Sequence, residues 1–165
     1  TATFTFSEAV ADFIVSDCNA LAVASIDQWP EWRGACWALN LVGPSGAGKS
    51  HLAAIWQSLI GNSHHFGALE AEQMPPKPAF YVFDNIDVDD KWNEEALFHF
   101  FNRSAVDQGG LLLLSQNPVG QMNWQLPDLR SRMRAVNMAR IDLPDDDLLY
   151  GLLDKYFAVP SVLVA

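Results

Sequence analysis

Gly43-Pro44-Ser45-Gly46-Ala47-Gly48-Lys49-Ser50 is a complete GxxxxGKS match, the spacing that cradles a nucleotide polyphosphate. Its glycines let backbone N–H groups approach phosphate oxygens with no Cβ in the way. A helix opening at Lys49 adds its partial positive charge at the same point. Lys49 then reaches the β- and γ-phosphates, and the Ser50 hydroxyl is suited to ligate Mg²⁺. His51 is grouped with the loop as a nucleotide-binding position, although its side chain is expected to turn away from phosphate. A glycine-rich turn with a stray lysine is the bland alternative, and the strand before and helix after argue against it.

A magnesium site of this kind needs a carboxylate from a neighbouring strand. The apolar run Ala79 to Phe83 delivers Asp84 at its C-terminal end, where it would hold Mg²⁺ through water. The next position is Asn85, where many ATPases of this kind have a second carboxylate to orient the attacking water. An amide positions water but is a very poor base. Asp87, two residues further on, is expected to point elsewhere. Tight nucleotide binding with slow intrinsic hydrolysis follows. Leu114-Ser115-Gln116-Asn117-Pro118 closes another apolar run, and in a parallel sheet its polar side chains converge on the same crevice. Asn117 or Ser115 is the candidate to sense the γ-phosphate or its water, against a plain Asn-Pro turn.

Ten residues are basic, and four of them, Arg130, Arg132, Arg134 and Arg140, fall close together. Three readings remain open: an arginine finger reaching a neighbour's ATP, a local nucleic-acid contact, or ion pairs with Asp128 and Asp145 to Asp147. His64, His65 and His99 lack metal spacing and read as surface or satisfied core residues. No Ser/His/Asp or Cys/His arrangement stands out. Cys36 reads as a buried, inert thiol, and the tryptophans read as core.

These groups need elements to hold them. Alternating apolar runs and amphipathic stretches predict an α/β fold with a largely parallel sheet. Strands are expected at Cys36–Val42, around His65-Phe66, and at Ala79–Phe83, Leu111–Leu114 and Val136–Ile141. Helices are expected over Asn19–Trp29 and Lys49–Leu59, from an Asn93 cap to Gly109-Gly110, and after Pro144. The chain has 165 residues, half of them hydrophobic, which suits one domain with a real core. A net charge of −10 argues against strong direct nucleic-acid binding. No apolar run approaches the ~20 residues of a membrane helix. With two cysteines and no signal peptide, a cytoplasmic location is expected.

Gly43 to Ala53 (GPSGAGKSHLA), Phe83-Asp84-Asn85-Ile86 and Leu126-Pro127-Asp128-Leu129-Arg130-Ser131-Arg132 together resemble the DnaA-related AAA+ proteins, over roughly residues 4 to 157. The Asp-Asn-Ile is similar to the branch that inactivates the initiator, where the initiator itself usually has Asp-Asp. The resemblance implies a three-layer AAA+ P-loop NTPase core with strand order 5-1-4-3-2, holding ADP or ATP with Mg²⁺. It implies Arg132 as the arginine finger, with Arg130 the lesser alternative. Adenine contacts are implied near Phe13, Ile14, Val15 and Asn19. Implied partners are the initiator DnaA and the DNA-loaded sliding clamp, and a homo-oligomer is compatible. Residues 1–143 would form the core with its linker, and 144–165 the start of a helical lid. The sequence reads as a fragment without the clamp-binding N-terminus and most of the lid. Initiator ATPase domains carry extra DNA-engaging helices between the second and third strands; here Gly67 to Pro78, with three prolines, is too short for two.

Overall fold

A computed structural model describes residues 20–27, 29, 38–88 and 91–142. In chain order they form α1 (Ala20–Asp27), β1 (Ala38–Val42), α2 (Lys49–Ile60), β2 (His64–Phe66) and β3 (Phe80–Phe83). Then come α3 (Glu94–Val106), β4 (Gly110–Ser115), a 3-10 turn (Val119–Gln121), α4 (Pro127–Ala135) and β5 (Asn137–Arg140). The five strands make one sheet of order β2-β3-β4-β1-β5. Every pairing is parallel. This is the expected 5-1-4-3-2 order read from the other edge.

The four-leucine run explains itself. Leu112 and Leu114 face one core with Leu39, Leu41 and Val82, covered by α1 and by Leu52 and Trp56 of α2. Leu111 and Leu113 face a second core with Tyr81 and Phe83, covered by Leu97, Phe100 and Phe101 of α3 and by Leu129 and Met133 of α4. A strand buried on both faces has no reason to alternate polar and apolar residues. Trp29 packs edge-on against Trp56, with ring centroids 5.3 Å apart. The second core is rich in aromatic rings. Tyr81 lies edge-on to Phe100 at 4.8 Å, and its hydroxyl donates to the Pro76 carbonyl at 2.7 Å. Burial pushes the Tyr81 phenol up to about 12; Arg103 opposes that rise and Asp107 adds to it.

Two local boundaries differ from expectation. Helix α3 ends at Val106, with Asp107 as its C-cap, before the glycine pair, and Gly110 is already the first residue of β4. Gly109 donates its N–H to the Ser104 carbonyl at the helix end and lies so close to the Ala79 carbonyl that no Cβ would fit, so it serves both helix termination and strand approach. Helix α4, by contrast, was not expected as an element at all. Cys36, Trp32, Trp37 and the helix after Pro144 lie outside the described residues. None of the described helices is long and apolar enough to cross a membrane.

Candidate nucleotide-binding site

Parallel register brings three strand ends to one edge. Val42 pairs with Ser115 and Phe83 with Leu113, so Gly43 leaves the sheet level with Gln116, and Asp84 leaves it level with Leu114 on the neighbouring strand. Between them lies a cavity of about 380 Å³. Ser45, Gly46, Gly48, Lys49, Ser50 and His51 line it from the P-loop and the start of α2, and Asp84, Asn85 and Gln116 from the ends of β3 and β4.

The loop needs its glycines for two different reasons. Gly46 and Gly48 adopt positive φ, 83° and 107°, which residues with a Cβ rarely take. Gly43 does not, but a Cβ there would stand 2.4 Å from the Ile141 carbonyl oxygen, which follows β5. Ala47 turns inward and joins the core. Gly48 leads into α2 with no side chain capping the helix start, which suits an anion at that end. Lys49 Nζ donates to the carbonyls of Gly43 and Pro44, so the ammonium sits across the mouth of the loop. Burial lowers the pKa of Lys49 from its ordinary value, while the carboxylates of Asp87 and Asp84 pull the other way.

Ser50 and Asp84 share the cavity, which is the donor pair that a phosphate-bound Mg²⁺ calls for. Asp84 Oδ2 also lies 3.5 Å from Nε2 of His65 on the edge strand β2, a contact that metal spacing alone gave no reason to look for. Asn85 has a φ of 53°, a left-handed conformation that asparagine tolerates. Its carbonyl accepts from the Trp92 indole N–H at 3.1 Å. Asp87 is not among the residues lining the cavity; its Oδ2 accepts from the backbone N–H groups of Gln116 and Asn117.

At the end of β4 the cavity receives Gln116. Ser115 is buried and donates to the Asn117 carbonyl at 2.6 Å; neither Ser115 nor Asn117 lines the cavity. Beneath them lies Asn40, in the middle of β1, a buried amide that composition and motif gave no means to find.

Arg132 is elsewhere. It lies on α4, where Nη2 donates to Asn102 Oδ1 at 2.9 Å and the guanidinium lies over the Phe98 ring at 5.4 Å. Arg130 Nε donates to the Trp124 carbonyl at 2.9 Å. Glu94 of α3 holds the start of α4, its carboxylate accepting from Gln125 N at 2.9 Å and Leu126 N at 2.8 Å. Phe13 and Val15, with the other adenine-contact candidates, lie outside the described residues. His64 is half-buried, and its Nε2 has no hydrogen-bond partner among the described residues. No group of three or more metal-ligating side chains occurs among the described residues.

A parallel sheet of this order with a P-loop between β1 and α2 defines an AAA+ nucleotide-binding fold. Solved structures show the same architecture. Domain III of the Thermotoga maritima initiation protein DnaA matches with a TM-score of 0.70 and 17% identity, over 98% of this chain and 76% of that one. AMPPCP-bound DnaA from Aquifex aeolicus matches with a TM-score of 0.68 and 17% identity, over 99% of this chain and 59% of that one. A replication initiator DnaA bound to AMPPCP and single-stranded DNA matches at 0.67 and 17%, over 94% and 55%. The chain thus spans little more than half the length of most of these, down to 53% for a DNA replication initiation factor. At such identities the likeness establishes the AAA+ fold of DnaA. No family model matches the sequence, and no characterised protein matches it at the sequence level.

Proposed function

We propose that the chain is a nucleotide-binding AAA+ regulator of the Hda type, which makes ATP-bound DnaA hydrolyse its nucleotide in trans and so prevents re-initiation of replication. The observation that carries this reading is a separation of two chemistries on one fold. The P-loop cavity has phosphate-binding groups but an amide, Asn85, beside Asp84. Arg132 is not among the residues of that cavity. A chain that binds nucleotide without a base, and carries an arginine away from its own site, is suited to complete another subunit's site.

ADP or ATP is the expected ligand, in keeping with the AMPPCP held by two of the similar DnaA structures. Mg²⁺ would be held by Ser50 and, through water, by Asp84, supplying charge compensation for the phosphates. Lys49 binds phosphate, Asn85 holds water without deprotonating it, and Gln116 offers an amide. The chain's own nucleotide then serves mainly to rigidify the surface carrying Arg132. Association with the DNA-loaded clamp, a helical lid from residue 144 and a cytoplasmic setting belong to the same proposal.

A DnaA-type initiator domain or a helicase-loader relative is the second reading, since one similar DnaA structure holds single-stranded DNA. Against it, the segment between β2 and β3 contains no helix. It is tied down instead by a bridge between Leu69 and Trp92.

The test adds the full-length protein to ATP-loaded DnaA with clamp-loaded DNA and follows ADP formation. Wild type stimulates; Arg132→Ala does not, while still binding nucleotide. Absence of stimulation by wild type would reject the regulator and favour the initiator or loader reading.

A further inference from the structure

Five large hydrophobic side chains are exposed among the described residues, and two of them, Met74 at 76% and Val106 at 75%, line the same cavity of about 440 Å³. Single exposed apolar side chains are ordinary; two on one concave surface are not. Pro75 lines it beside Met74, and His99, Asn102, Arg103 and Val106 line it from one stripe of α3, at i, i+3, i+4 and i+7. The lining is mostly apolar, and no carboxylate is part of it, in a chain with 20 acidic side chains. What it offers are donors. Arg103 brings its guanidinium, and Asn102 its amino group, because Oδ1 already accepts from Arg132. Asp107 meets Arg103 at 3.7 Å, a partly exposed i, i+4 pair of small worth.

We propose that this groove is a docking site for a linear segment of another protein in which a large apolar side chain stands beside a carboxylate. The apolar side chain packs on Met74, Pro75 and Val106, and the carboxylate meets Arg103 and the Asn102 amino group. Covering the exposed side chains drives the association, and the guanidinium sets the sign of charge accepted. The site is independent of the nucleotide reading. The P-loop follows Val42, level with Ser115 at the end of β4, whereas the groove lies where α3 runs down to Gly109, against the Ala79 carbonyl before β3. That separation excludes the chain's own densest acidic run, Asp145 to Asp147. β5 ends at the P-loop edge, three strand spacings or about 14 Å from β3, and the three residues from Asp142 to Asp145 span at most about 11 Å. Docking a second copy would press together two chains of net charge −10. A short segment meets only the charges near the groove, the rest being screened beyond about 8 Å.

The experiment selects short peptides from a random display library on the immobilised whole chain, then measures their dissociation constants by fluorescence polarisation. Enriched peptides are expected to pair Leu, Ile, Met or Phe with Asp or Glu. Met74→Asp and Val106→Asp, at exposed positions that leave the fold intact, each weaken binding by roughly ten-fold. Arg103→Glu does the same, and replacing the peptide's acidic residue with lysine restores binding to that variant alone. Sedimentation of wild type over a wide concentration range shows no association through this face. The proposal is overturned if no peptide is enriched over the Val106→Asp protein, or if the enriched peptides are basic or lack an apolar residue. Failure of the lysine peptide to rescue Arg103→Glu overturns it too. So does a wild-type dimer that Val106→Asp dissociates, which would make a second copy the occupant.

Discussion

Asn40 donates to Ser115 Oγ at 3.0 Å across the β1–β4 pair, inside the buried sheet. The rest of that amide is also used: Nδ2 donates to the Leu113 carbonyl at 3.0 Å, and Oδ1 accepts from Val119 N at 3.1 Å. A polar side chain persists at the centre of a parallel strand only when its groups are satisfied in this way. It underlies the turn that carries Gln116.

Replacing Asn40 with alanine strands the Val119 N–H and removes a partner from Ser115. A loss of about 1–3 kcal/mol in unfolding free energy is expected, read by chemical denaturation. Wild-type stability in Asn40→Ala would mean the network contributes nothing net.

Gly43→Ala and Gly46→Ala should differ in size and kind. At Gly43 the new methyl meets the Ile141 carbonyl oxygen at 2.4 Å, backbone that must shift, so a loss of up to about 3 kcal/mol is expected. At Gly46 nothing lies within 4 Å, and only the positive φ of 83° resists, at about 1 kcal/mol. Thermal unfolding of the two variants side by side checks the order, and the reverse order would contradict the structure.

Lys49 makes alkaline pH informative. Its native pKa lies below the ordinary 10.5, so between the two values the unfolded chain binds more protons than the native one. Stability contributed by this group therefore rises with pH across that interval. Nucleotide phosphates favour the charged ammonium, so binding there should take up a proton and weaken as pH rises. Calorimetric titration in two buffers of different ionisation enthalpy measures that uptake; proton release would have the wrong sign.

Tyr81 behaves oppositely. Its phenol is raised to about 12 in the native state, so its contribution is fully present below pH 10 and is lost as pH rises through 12. Over that window stability should fall by about 1.4 kcal/mol per pH unit from this group alone. Ultraviolet titration should show one of the three tyrosines ionising only when the chain unfolds, whereas three normal phenols would contradict the burial.

What the sequence discloses depends on how local the signal is. The P-loop is eight consecutive residues with a strand before and a helix after, and Asp84 ends an apolar run; both are written in adjacent positions. Helix α4 was missed although its signals are local. Pro127 sits at the first helical position, Asp128 follows in the first turn, and Leu129 and Met133 are the buried i, i+4 pair. Its largely polar surface hid that short stripe. That Gln116 rather than Asn117 lines the cavity is a different matter. It depends on how the chain turns out of β4, where Asp87, Asn40 and Ser115 hold the turn. Those contacts exist only once β3, β4 and β1 are in register, and no spacing along the chain encodes them.

Glu94 is one residue of α3, yet it caps α4. Asn93, beside it, caps α3 through Ala96 N at 2.9 Å, and Trp92, beside that, holds the Asn85 carbonyl. Three consecutive residues thus tie the turn after β3, the start of α3 and the start of α4 to one another.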